Sequence, residues 1–101
     1  MGRSIRCPNS RCKDSRLKFP ETELAGAYLI KLNRIEDSRG FFARAWCSKE
    51  FQELGLPISF PQCNLSYNLR RGTIRALHYS IAPSCESKIV RCIRGAILDV
   101  L

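Results

Sequence analysis

The chain has 101 residues, room for one small domain. With 45% apolar and 26% charged residues it is ordinary for a globular protein, which excludes a wholly disordered, collagen-like or low-complexity chain. The formal charge of +8 is lopsided: residues 1–18 hold six basic residues against Asp14 alone, and the rest is nearly balanced, eleven against eight.

Residues 1–16 mix charges with Ser4, Pro8, Asn9, Ser10 and Ser15 and show no hydrophobic periodicity. They read as a basic flexible arm. From residue 17 the pattern is that of a β protein, with short extended runs between turn residues. Residues 27–32 (AYLIKL) are rich in strand formers. Asp37-Ser38-Arg39-Gly40 is a turn signal, and residues 41–46 (FFARAW) follow as a strand. Residues 49–54 are the one helical candidate: Ser48 is the expected cap, Glu50 suits the positive end of the dipole, and Gly55 can end the helix. Pro57 and Pro61 frame a short extended piece. Strands are then expected over residues 64–69, 73–79, 88–93 and 96–101, joined by turns at Arg70-Arg71-Gly72 and Arg94-Gly95 and by a loop around Pro83. The sum is a mainly β chain with about six strands and one short helix. The apolar run 96–101 (AILDVL) needs partners on both edges, which suggests the front part of a longer β domain.

No apolar run reaches the ~18 residues of a membrane-spanning helix, and no apolar segment follows the early charges as a secretory signal requires. A cytoplasmic protein with no membrane partner is expected. A basic arm on a balanced domain is a weak nucleic-acid signature, so nucleic acid is not the expected partner. Of the six cysteines, Cys7 and Cys12 are separated by four residues, Cys85 and Cys92 by six, and neither pair is the close C-x-x-C knuckle of a structural zinc site. Cys47, Cys63 and Cys92 stand beside apolar or strand-like residues and are expected as small buried hydrophobes.

His78 is the single histidine. Arg75 precedes it in the same expected strand and Lys88 opens the next. Such a cluster suits an anionic ligand and a developing negative charge; strand-end charges in solvent are the plain alternative. A metal-binding barrel needs several imidazoles converging on one ion, so no metal is expected. A phosphate-binding Gly-rich fingerprint and a serine elbow are both absent from the sequence.

Four stretches carry a resemblance. They are Asp37-Ser38-Arg39-Gly40-Phe41-Phe42, Gln62-Cys63-Asn64-Leu65-Ser66, Gly72-Thr73-Ile74-Arg75-Ala76-Leu77-His78-Tyr79, and Lys88-Ile89-Val90-Arg91-Cys92-Ile93-Arg94-Gly95-Ala96. Their order and gaps resemble the dTDP-4-dehydrorhamnose 3,5-epimerase family over residues 17–101, roughly the front half of a member. The resemblance implies an incomplete cupin-type jelly roll from a homodimeric enzyme without cofactor. The implied substrate is a dTDP-linked 4-keto-6-deoxy sugar on the way to dTDP-L-rhamnose, epimerised at C3 and C5 beside the C4 ketone. His78 matches the family's base and Lys88 the lysine near the keto oxygen. Arg75 matches a substrate-binding arginine, and Arg39 one that contacts the nucleotide. Gln62 and Asn64 match polar substrate-binding positions. Phe41 matches an aromatic that packs near the base, across the dimer.

The chain also departs from the pattern. The usual R-G-L-H-Y-Q appears as Arg75-Ala76-Leu77-His78-Tyr79-Ser80. In a regular strand Arg75 and His78 face opposite ways, and a bulge is needed to join them. Arg44 stands where many members carry a substrate-contacting glutamate. The family's acid tyrosine and His-orienting aspartate are implied to lie beyond residue 101, so these residues alone are expected to be inactive. A non-catalytic remnant and a basic polyanion-binding module are the alternative readings.

Overall fold

The computed structural model describes residues 15–101. Most of the arm expected over residues 1–16, with Cys7 and Cys12, therefore lies outside the described residues. The chain divides after Ile58 into two units.

In the first unit, residues 18–22 run antiparallel to residues 27–31. Lys18 and Lys31 exchange both backbone hydrogen bonds, at 3.0 and 2.8 Å, and the Leu29 amide donates to the Pro20 carbonyl at 3.1 Å. Pro20 has no N–H to return, so the pairing breaks into isolated bridges at Lys18–Lys31 and Glu21–Tyr28. The strand expected over 27–32 is thus reduced to two bridge positions. Next comes a hairpin of β1 (Ile35–Asp37) and β2 (Gly40–Phe42). Its register pairs Ile35 with Phe42, Glu36 with Phe41 and Asp37 with Gly40. The expected turn is therefore present, with Ser38 and Arg39 at its tip. The pairing stops at Phe42, short of the expected 41–46. The sequence reading did not foresee β1, whose polar residues form no strand pattern; the Asp37 turn closes the hairpin and pairs them anyway.

The helix α1 spans Ser48–Glu53, one residue earlier than expected at each end. Its N-cap is Cys47, extended at φ −151°, and no side chain caps it, so the cap expected of Ser48 is corrected. The C-terminus follows the expectation. Gly55 takes φ +69°, its amide donates to the Gln52 carbonyl at 3.0 Å, and the Leu56 amide reaches back to Phe51 at 3.0 Å. This is a Schellman closure, and it needs the left-handed conformation that glycine adopts without steric cost. Phe51 is 2% exposed and forms the small core. Phe19 meets it edge-on at 5.5 Å between ring centroids, Trp46 lies tilted at 5.8 Å, and Leu17 is buried nearby in sequence to Phe19.

The second unit forms turns without ladders. Gly72 at φ +79° and Gly95 at φ +83° occupy the two expected turns. The Ile81 carbonyl accepts from the Ser84 amide at 3.0 Å across a cis Ala82–Pro83 bond. Yet residues 64–69, 73–79, 88–93 and 96–101 contain no named strand, and every residue from 61 to 101 is exposed. The expectation of about six strands is corrected to two paired strands among the described residues. The physical reason is the missing burial. Alternating apolar residues favour a strand only when one face leaves water, and here none does, so nothing offsets the entropy of fixing the backbone. The regular structure that does form is β pairing with one short helix. The exposure of Cys63 and Cys92, with Cys47 half-buried, also corrects their expected burial. Among the described residues no helix is long and apolar enough to cross a membrane.

Candidate functional site

The turn around Pro83 folds residues 85–88 back toward residues 78–80. Between them lies a cavity of about 270 Å³ lined by His78, Tyr79, Ser80, Cys85, Glu86 and Lys88. His78 and Lys88 are thus brought together by a local reversal rather than by a sheet. Both are exposed. The Lys88 ammonium lies 3.7 Å from a Glu86 carboxylate oxygen. Tyr79, Ser80, Cys85 and Glu86 were missed by sequence reasoning. Their signal was adjacency to His78 or Lys88 on either side of a proline turn.

Arg75 is not part of this lining. The reversal at residues 70–72 sets it against Asn68, whose side-chain oxygen accepts from Nε at 2.6 Å, while Nη2 donates to the Tyr67 carbonyl at 3.2 Å. The bulge that would join Arg75 to His78 does not arise, because residues 73–79 form no ladder. Gln62 and Asn64 lie in an exposed irregular stretch after Pro61 and do not line the cavity either.

Arg39 and Phe41 belong to the hairpin of the first unit. Asp37 holds Arg39 tightly. Oδ1 accepts from the Arg39 amide at 2.8 Å, and the carboxylate accepts from Nε at 3.2–3.3 Å and from Nη2 at 2.6 Å. The guanidinium bonded to Asp37 holds its carboxyl below the ordinary aspartate value, and the Arg39 amide adds to the effect. Phe41 is more than half exposed, with the Arg34 guanidinium 4.6 Å above its ring.

Arg44 is engaged with α1. Its Nη1 donates to Glu50 Oε2 at 2.8 Å. Glu50, 5% exposed, also accepts from the Leu17 amide at 2.9 Å and from Arg16 Nε at 3.5 Å. Arg16 reaches on to Glu53 at 2.6 Å. Burial by itself raises the Glu50 carboxyl. Arg44, the Leu17 amide and the Cys47 thiol outweigh it and hold the group below the ordinary glutamate value. This cluster ties the start of the described chain to α1, so Arg16, the last residue of the expected arm, is engaged. Among the described residues no group of His, Cys, Asp and Glu is placed to hold a metal.

The family profile for dTDP-4-dehydrorhamnose 3,5-epimerase matches residues 21–101. The chain belongs to the dTDP-4-dehydrorhamnose 3,5-epimerase family. It is 34% identical over 82 residues to the dTDP-4-dehydrorhamnose 3,5-epimerase of Sinorhizobium fredii, covering 81% of this chain and 42% of that protein. It is 40% identical over 83 residues to the enzyme of the same name from Methanothermobacter thermautotrophicus, covering 82% and 44%. It is 34% identical over 79 residues to the dTDP-4-dehydrorhamnose 3-epimerase of Streptomyces niveus, covering 77% and 38%. The chain spans less than half the length of these relatives. No solved structure matches it.

Proposed function

We propose that residues 17–101 carry the proton-abstracting part of a dTDP-4-dehydro-6-deoxy-sugar epimerase site, and that the active assembly is a homodimer of cupin-type jelly rolls in the cytoplasm. The observation that supports this reading is the cavity shared by His78 and Lys88. Its volume of about 270 Å³ falls just below the range of ordinary ligand pockets, ~300–1,000 Å³. It suits the reacting sugar rather than the whole nucleotide sugar.

The chemistry follows from the ketone. Protons at C3 and C5 both flank C4, so loss of either sends the C–H electron pair into the carbonyl and gives an enolate. An imidazole is the side chain suited to take such a proton near neutral pH, and that is the role of His78. The Lys88 ammonium opposes the charge growing on the C4 oxygen. Arg39 and Arg75 bind the anionic and polar parts of the substrate, Gln62 and Asn64 add hydrogen bonds, and Phe41 packs near the base across the dimer. Inversion also requires an acid that delivers a proton to the opposite face. In the family a tyrosine is that acid, and an aspartate orients the histidine.

Proton–deuterium exchange tests the proposal. The 4-keto sugar nucleotide is incubated with the protein in heavy water, and deuterium is read at C3 and C5 by NMR. Incorporation is expected at one or both carbons, and His78→Ala is expected to abolish it. No incorporation at either carbon overturns the assignment of His78 as base.

A further inference from the structure

Arg39 is 86% exposed in its side chain, and a free guanidinium on such a turn samples many rotamers. Here one carboxylate constrains it. Asp37 takes the Nε–H and one Nη2–H of the guanidinium, and the same carboxylate takes the Arg39 backbone amide. A guanidinium has five N–H donors in a planar fork. Asp37 occupies the Nε–Nη2 edge, which leaves the Nη1–Nη2 edge as a second, parallel pair of donors. That edge has the geometry for bidentate contact with a phosphate. The platform is the paired hairpin itself, since Asp37 closes its register opposite Gly40.

We infer that Asp37 is a positioning residue: it clamps one edge of the Arg39 guanidinium so that the other edge is preset for a phosphate of the substrate's nucleotide diphosphate. This rests on the proposed assignment of Arg39 to the nucleotide. Preset geometry lowers the ordering cost at binding, so the benefit appears as affinity for the diphosphate and not in the proton-transfer step. The turn and the clamp are separable. An asparagine at position 37 retains a side-chain carbonyl for the Arg39 amide but loses the charged fork.

The test is an NMR titration of the 101-residue protein with dTDP, read at the Arg39 Nε–Hε signal and as a dissociation constant. In the wild type that signal is expected to be protected from water exchange and to shift on titration. Asp37→Asn is expected to keep the hairpin's backbone contacts, lose the Nε–Hε protection and weaken dTDP about threefold, a modest effect because the pair is exposed. Asp37→Glu is expected to recover part of both. If Asp37→Asn binds dTDP as tightly as the wild type or more tightly, the carboxylate competes with the ligand and the inference is overturned. An unchanged Nε–Hε signal overturns it as well. Arg39→Gln separates the two readings. If it binds dTDP like the wild type, the nucleotide role of Arg39 fails and the inference fails with it. If it loses binding while Asp37→Asn does not, only the inference fails.

Discussion

The two units of this chain carry similar strand-forming sequence and reach opposite outcomes. Residues 15–58 bury Phe51, Leu17 and the Glu50 carboxylate, and they hold paired backbone around that small core. Residues 61–101 are about as rich in strand formers, yet all are exposed, with Leu98 at 92%. The difference is one aromatic ring with two aromatic neighbours and one carboxylate with four donors. Burial of those groups fixes nearby backbone, and without an equivalent anchor the more hydrophobic half forms only its turns. β-propensity expresses how well a residue fits a half-buried pleated surface, and it has little force where no such surface exists.

That contrast can be broken most directly at Phe51. Phe51→Ala removes the ring against which Phe19 and Trp46 pack, and is expected to cost about 3 kcal/mol. Amide exchange should accelerate across residues 15–58 and stay as it was across 61–101. Equal acceleration in both halves would erase the distinction drawn between them.

Glu50 sharpens the comparison through charge. Glu50→Gln removes the carboxylate charge that faces Arg44 Nη1 and Arg16 Nε and is expected to cost about 1–2 kcal/mol by urea unfolding. The same carboxylate sets a pH signature. Its folded value lies below the ordinary 4.5, so its stabilisation is complete above that value and is lost as the pH falls through the lower folded one. Asp37, also lowered, from 3.8, adds to the loss in the same direction at more acid pH. Stability of the first unit should therefore be level down to about pH 5 and decline below it. Glu50→Gln should flatten most of that decline. An undiminished acid decline in the variant removes Glu50 from the account.

The smallest effect is expected at Leu98. Leu98→Ala, at 92% exposure, should change stability by less than about 0.5 kcal/mol. A larger loss would show that residues 96–101 are covered in solution and that the second unit has a buried face after all.

Much of this was legible in the residues, and the legible part was local. The turn from Asp37 to Gly40, the end of α1 at Gly55, and the reversals at Gly72 and Gly95 each depend on a few neighbouring side chains and on glycine's access to positive φ. The family was legible for the same reason, because motif order and spacing are properties of the chain itself. His78 and Lys88 could be named as partners, and the Pro83 turn between them made their meeting a short-range event.

What the amino-acid sequence determined alone was therefore the family, the turns and the helix. Only the tertiary structure decided that Glu50 is a buried clasp for Arg16, Leu17 and Arg44 rather than a dipole partner, that Arg39 is held by Asp37, that Arg75 turns to Asn68, and that four strand-like runs stay unpaired. The reason is physical. A turn is settled by torsions within a few residues, whereas a ladder or a buried carboxylate depends on what arrives from far along the chain, and that arrival is a matter of burial against entropy.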